Sequence, residues 1–244
     1  MGLVRKTRAV TTLRHFVPHL LGPAVRTLVA RRSWRTDLES QREWSEIRAR
    51  GRFREGGRPG AAPFWWGAFS AHRADIDEYL ELGSWEGQSA VLAAWLFPKA
   101  RITAVDWFAN EDAEANFDRN TEHFAERLDK VAGTTWDVLS RLHAEDRRFD
   151  VIYIDADHRF DAVLLDTIWS WSLLRVGGYL IWDDYLWSHP EVGPLDTKPA
   201  IDAWLKTRSE FLEVVFAGEQ VCVRKIAPDP QIRDMALKQA DTTG

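Results

Sequence analysis

The chain has a single cysteine, Cys222, in 244 residues. An internal disulfide is therefore excluded, and so is a thiolate-based zinc site, because the scattered histidines supply no ligand spacing of their own. No apolar run approaches the ~18 residues that a membrane-spanning helix requires. No stretch combines an apolar core with a cleavage site in the manner of a signal peptide, so the sequence predicts a cytoplasmic, reducing setting. Internal repeats and low-complexity tracts are missing as well. What remains is a chain with 45% hydrophobic residues, long enough for one sizeable domain and an appendage.

Acidic residues are scarce at one end. Residues 1–58 hold 13 Arg and one Lys against five acids, a net of about +9, which leaves about −14 on the rest of a chain whose total is −5. Within residues 4–32, Val10, Leu13, Val17, Leu20 and Leu21 form a helical stripe interrupted by Pro18 and Gly22-Pro23. The favoured reading is a helical cap on the acidic domain or on a second subunit, which would make a homo-oligomer; peripheral contact with anionic lipid is the alternative. Nucleic acid is not expected, since the basic residues lack interleaved aromatics at a module spacing. A helical segment at 36–50 precedes a linker at 51–63, marked by Gly56-Gly57-Arg58-Pro59-Gly60. The predicted division is an extension at 1–58, a catalytic domain at 59–228 and a tail at 229–244.

The glycine that a dinucleotide site places in the middle of G-x-G-x-x-G is absent too. Residues 79–82 form an apolar strand that runs into Gly83-Ser84-Trp85-Glu86-Gly87-Gln88-Ser89, where the spacing is Gly83-x-x-x-Gly87. A helix opens at Ser89. No pyrophosphate is implied, and Glu81 before the first glycine would repel one. A carboxylate there suits an ammonium group, and Asp106, ending the next strand about 20 residues after the turn, can accept from both hydroxyls of a ribose. S-adenosylmethionine has a ribose, a cationic amino acid end and no phosphate. The alternative is a tight turn with no ligand.

Two further strands end in acids. Residues 149–154 lead to Asp155, Asp157 and His158; residues 179–182 lead to Asp183 and Asp184 after a helix at 162–174 whose stop signal is Gly177-Gly178. Neighbouring parallel strands would bring Asp155, Asp183 and Asp184 together, where mutual repulsion calls for a cation. Oxygen ligands favour Mg²⁺, with Mn²⁺ or Ca²⁺ also suitable, over zinc. The competing reading is that these acids cap helices or turns after their strands.

Taken together, residues 81–89, Ile154-Asp155-Ala156-Asp157-His158, Leu173-Leu174-Arg175-Val176-Gly177-Gly178, Asp183-Asp184-Tyr185 and residues 218–225 resemble class I S-adenosylmethionine-dependent methyltransferases. The macrocin-type sugar O-methyltransferases and their catechol O-methyltransferase relatives are the most similar branch. The resemblance spans residues 65–226. It implies a Rossmann-like α/β fold with a seven-stranded, mostly parallel sheet and an antiparallel last strand, here with an N-terminal helical extension.

It also implies that Glu81, Gly83 and Ser84 line the methionine end of the cofactor and that Asp106 holds the ribose, with Gly87, Ser89 and Trp107 also in the cofactor site. Thr135, Trp136 and Asp137 would lie near the adenine. Asp155, at the edge of the cofactor, would hold a divalent cation with Asp183 and Asp184, while Asp157 or His158 takes the proton of a small-molecule hydroxyl acceptor, a sugar or a phenol. Catechol-type enzymes carry a lysine in place of His158 and many carry an asparagine in place of Asp184. The expected reaction is in-line transfer of the methyl group to oxygen. A metal-free enzyme using His158 and a non-catalytic S-adenosylmethionine-binding regulator are the alternatives.

Thirteen tryptophans are many for this length. Trp65, Trp66, Trp85, Trp107, Trp182 and Trp187 lie in sequence near the expected ligand end, where aromatic walls would suit a ring and exclude water. Acceptor contacts are expected at 60–70, 107–115 and 185–197. Remaining elements are expected as helices at 111–127, 136–143 and 198–207 and strands at 130–133, 211–216 and 220–225.

Overall fold

The computed structural model describes residues 37–53, 61–187 and 196–230. The basic segment 1–32, the glycine-rich stretch 56–60, most of the 185–197 segment and most of the 229–244 tail lie outside the described residues. Helix α1 (Leu38–Arg50) starts where Asp37 accepts a hydrogen bond from the Ser40 N–H, and α2 (Ala61–Phe69) follows. Strand β1 (Glu78–Leu82) leads to α3 (Gln88–Leu96), β2 (Arg101–Asp106) to α4 (Glu111–Thr121), and β3 (Leu128–Ala132) to α5 (Thr135–Ala144). Strand β4 (Phe149–Ile154), α6 (Phe160–Leu173) and β5 (Leu174–Trp182) come next, then α7 (Thr197–Thr207), β6 (Leu212–Ala217) and β7 (Val221–Lys225).

The sheet has seven strands in the order β3-β2-β1-β4-β5-β7-β6, and only β7 runs antiparallel to its neighbours. The period-2 alternation of the strands divides the core. Tyr79, Ile102, Ala104, Val151, Tyr153 and Ile181 face α2 and α3. Leu80, Leu82, Ile152, Ile154, Leu180 and Trp182 face α5, α6 and α7. Because β4 is buried on both faces, it reads as a nearly continuous apolar run from Val151 to Ile154, whereas β1, equally buried from Tyr79 to Leu82, carries the acid Glu81 within it. Helix α3 is buried from Ala90 to Leu96 without a polar face, being trapped between the sheet and the outer helices.

Two expectations need correction. The stretch 51–63 is not linker throughout, because α2 begins at Ala61; Pro63 lies in its first turn, where a missing N–H costs nothing. Its Trp65 is fully buried and stacks edge-on with Tyr153. Nor do Gly177 and Gly178 stop a helix. Helix α6 ends at Leu173 and both glycines lie inside β5, where a side chain on Gly178 would come 2.9 Å from the Asp150 carbonyl oxygen. The stop comes from far away in sequence: the buried Lys225 ammonium donates to the carbonyls of Trp171 (2.8 Å) and Leu174 (3.0 Å) at the end of α6. Among the described residues no helix is long and apolar enough to cross a membrane.

Candidate functional site

Registers Leu82↔Ile154 and Ile154↔Trp182 bring the carboxyl ends of β1, β4 and β5 level with one another. The ladder continues one residue further, since the Asp155 N–H donates to Leu82 O (2.8 Å) and the Asp183 N–H to Ile154 O (3.0 Å). Gly83 is wedged into this row. Its φ is +85°, and an added Cβ would sit 2.0 Å from the Asp155 carbonyl oxygen. Glycine is needed there both for the left-handed backbone and for the close approach.

Past Gly83 the chain folds into a turn closed by the Gly87 N–H donating to Ser84 O at 2.7 Å, with Trp85 at φ 45°. Asp106 ties the turn to β2: its Oδ2 accepts from the Trp85 N–H (2.8 Å) and its Oδ1 from the Phe108 N–H (2.9 Å). Each oxygen keeps lone-pair capacity for a further donor. Trp107, next in sequence, is 71% exposed beside it.

Glu81 lies at 0% exposure beneath the turn. Its Oε2 accepts from the Tyr79 hydroxyl at 2.8 Å, whereas its buried Oε1 makes no hydrogen bond. Burial pushes its carboxyl up to about 8, against the pull of the Tyr79, Ser84 and Ser89 hydroxyls; neighbouring Asp155 pushes it further up.

Across the crevice a second group converges. Single ligand atoms of Asp155, His158 and Asp184 lie within 4.8 Å of one another. His158 Nε2 stands 3.4 Å from Asp155 Oδ1 and 3.1 Å from Asp184 Oδ2. The two carboxylates outweigh burial and raise the imidazole to about 10, so it is held as a cation. Burial, followed by the charge of Asp183, raises Asp155 to about 7, with His158 opposing. The Trp187 ring packs 5.0 Å from that of His158.

Asp183 does not face this group as Asp184 does. Its Oδ2 accepts from the Tyr153 hydroxyl and its Oδ1 from the Asp184 N–H at 2.8 Å, while Asp184 takes a positive φ of 49°. Both Asp183 oxygens thus accept from protein donors, whereas ligand atoms of Asp155 and Asp184 converge with His158. Tyr153 and its support escaped the sequence reading. The Gln220 amide donates to Tyr153 Oη (3.4 Å), and Trp65 Nε1 donates to Gln220 Oε1 (2.9 Å). The alternation that places Tyr153 on the same sheet face as Glu81 was the available signal.

Asp157 stands apart from the cluster. Although burial works in the opposite direction, the Arg159 guanidinium and backbone N–H hold its carboxyl below the usual range, with Nη2 at 2.7 Å. Thr135 opens α5, capped by Thr134, whose hydroxyl accepts from the Asp137 N–H and donates to Asp137 Oδ2 at 2.7 Å. Asp137 therefore serves its own helix start. Trp136 is 52% exposed and leans edge-on against Trp169, on the same rim as Trp107. Of the tryptophans expected at the ligand end, Trp65, Trp66 and Trp182 are core, and only Trp85, Trp107 and Trp187 reach solvent.

The comparisons agree with this geometry. Residues 80–185 match a family described as a methyltransferase domain. An uncharacterized protein of Acanthamoeba polyphaga mimivirus is 26% identical over 132 residues, 51% of this chain, and the chain spans 59% of that relative's length. Among solved structures, the O-methyltransferase TomG of Streptomyces achromogenes, involved in tomaymycin synthesis, superposes with a TM-score of 0.52 at 18% identity, covering 64% of this chain and 75% of its own. An O-methyltransferase from Bacillus cereus gives 0.54 at 19%, covering 68% and 81%. The mycinamycin-pathway methyltransferase MycE gives 0.54 at 15%, covering 67% and 49%. Residues 80–185 thus resemble a methyltransferase domain, and the chain has the fold of the class I methyltransferases.

Proposed function

We propose that the chain transfers the methyl group of S-adenosylmethionine to a hydroxyl oxygen of a small molecule. One observation carries the reading: Glu81, wholly buried at the end of β1, has a carboxylate oxygen without a hydrogen bond, directly under a left-handed glycine turn. A buried acceptor left unpaired is costly, and an ammonium delivered by a ligand removes that cost while drawing the carboxyl back to its charged form. Asp106 then takes the ribose hydroxyls, and Trp107 and Trp136 cover the base. TomG in complex with SAM, and the Bacillus cereus enzyme and MycE in complex with SAH, support the cofactor, though by fold alone.

The residues facing the cofactor also fit a divalent cation. Asp155 and Asp184 would hold it, with Asp183 stiffening the loop from behind; when bound, such an ion polarises the acceptor hydroxyl and lowers its pKa. MycE was crystallised with Mg, which supports this reading. The chain's own part is to position and to manage one proton. His158 Nε2, between two carboxylates, lies where a hydroxyl approaching the methyl group would present its hydrogen. Once the charge of Asp155 and Asp184 is offset, the imidazole has less reason to stay protonated and becomes the base. Asp157, neutralised by Arg159, is the weaker candidate.

The test is calorimetric. S-adenosylhomocysteine binds and NAD does not, and a Glu81→Gln variant loses most of that affinity. Tight NAD binding with no response to S-adenosylhomocysteine refutes the reading. The acceptor is then sought among sugars and phenols by the mass increase of one methyl group.

A further inference from the structure

A buried asparagine joins the segment before the methyltransferase domain to the glycine turn. Asn120, on α4 and 8% exposed, uses its whole amide. Oδ1 accepts from the Arg52 N–H at 2.7 Å, and Nδ2 donates to Arg52 O at 3.1 Å and to Glu86 O at 2.8 Å. Arg52 lies just beyond α1, outside the matched residues 80–185, whereas Glu86 sits in the turn itself.

The bond to Glu86 acts on a particular peptide. The Glu86 carbonyl and the Gly87 N–H belong to one planar unit. The N–H end is fixed by Ser84 O at 2.7 Å, and the carbonyl end by Asn120. The rest of the same α4 face reinforces the grip at helical spacing: Asn116 Nδ2 donates to Glu86 Oε1 at 2.8 Å, and Phe117 and Thr121 fill the space that a side chain on Gly87 would need. Arg52 in turn lends the asparagine both of its backbone groups, which fixes the amide plane.

We infer that Asn120 is a positioning residue for the cofactor turn and that the chain around Arg52 belongs to the cofactor site through it. This rests on the S-adenosylmethionine reading. Backbone groups beyond Gly83 serve the amino acid end of the ligand, so loosening the clamp acts there and leaves the adenosine end, held by Asp106, Trp107 and Trp136, largely as it was.

The experiment is calorimetric titration of the full-length protein with S-adenosylhomocysteine and, separately, with adenosine. Arg52→Pro removes the N–H that Asn120 accepts and touches nothing else in the amide; the preceding Gly51 is extended, at φ −78° and ψ 157°, as a residue before proline should be. The expected result is a loss of about fivefold or more for S-adenosylhomocysteine, the worth of a buried hydrogen bond, with adenosine changed by less than about twofold. Asn120→Asp, which keeps the acceptor and deletes both donated bonds, shows the same split; should it fail to fold, Arg52→Pro decides alone. Arg52→Ala keeps the peptide N–H and retains the wild-type ratio of the two affinities.

Unchanged S-adenosylhomocysteine affinity in Arg52→Pro overturns the inference. An equal loss for both ligands overturns it too, because that marks general loosening rather than positioning. A wild-type protein that binds neither ligand refutes the functional reading itself.

Discussion

At the ends of β1 and β2 the crevice is lined by peptide groups held in place by one another and by a single carboxylate: Gly83 against Asp155 O, Gly87 against Ser84 O, and Trp85 and Phe108 N–H on Asp106. At the ends of β4 and β5 it is lined by charges, three aspartates and a histidine. The first half is rigid before any ligand arrives. The second half stores repulsion that a proton on His158 offsets only in part, and the carboxyls of Asp155 and Asp183 are pushed upward by burial and by neighbouring acids. On the proposed function, binding falls to the first half and chemistry to the second, and each can be disturbed separately.

The strongest way to separate them is Asp184→Asn. Removing one outward acid is expected to cut turnover by about 10²-fold or more, while S-adenosylhomocysteine affinity moves by less than about threefold, since the proposed function sets this acid against the acceptor and not the sulfonium. Methylation assays paired with calorimetry check both numbers; parallel losses in the two would erase the distinction. Gly83→Ala does the reverse and harms both halves at once. Its Cβ meets the backbone of Asp155, so a destabilisation of about 3 kcal/mol is expected, read as a lowered midpoint in denaturant melts.

A narrower test is Asp106→Ala, which removes a charged acceptor from two peptide N–H groups and from the ligand. Cofactor binding weakens by about 1.5 to 3 kcal/mol, with chemistry on the bound cofactor altered less. The last test is a pH effect. The Glu81 carboxyl is raised from 4.5 to about 8 in the fold, so the folded state binds its proton more tightly than the unfolded chain does. Its contribution is complete below pH 4.5 and fades as pH climbs toward 8, a pH dependence that Glu81→Gln abolishes. Scanning calorimetry of the two proteins between pH 5 and pH 8 measures the difference.

Much of this arrangement is visible in the one-dimensional sequence. Apolar patterning placed the strands within a few residues, except that β5 begins at Leu174, five residues before the strand expected at 179–182, and the acids at 106, 155, 183 and 184 stand where strands end. The parts that stayed hidden depend on partners distant along the chain. Lys225 caps α6 from about 50 residues away, so Gly177-Gly178 looked like the stop. The difference between Asp183 and Asp184 arises from a single positive φ and from Tyr153, neither of which composition reveals. Asp157 and His158 looked equivalent until Arg159 folded back onto the former. Helix α2 was concealed by the glycines and prolines around it, yet its Trp65 stands behind the acid cluster through Gln220.

The position of β7 has an effect on timing. This strand is the last of the sheet to be synthesised, yet it inserts between β5 and β6 rather than adding to an outer edge. A nascent chain can pair β1, β2, β3, β4 and β5 as each appears, but β5 must wait with an open edge, and β6 has no neighbour at all, until residues 221–225 emerge. Gln220, which steadies Tyr153 and through it Asp183, arrives in the same step. The acid-lined half of the crevice is thus completed by the closing stroke of the sheet, and a ribosome-bound intermediate stopped before residue 220 would hold the glycine turn without a finished acid cluster.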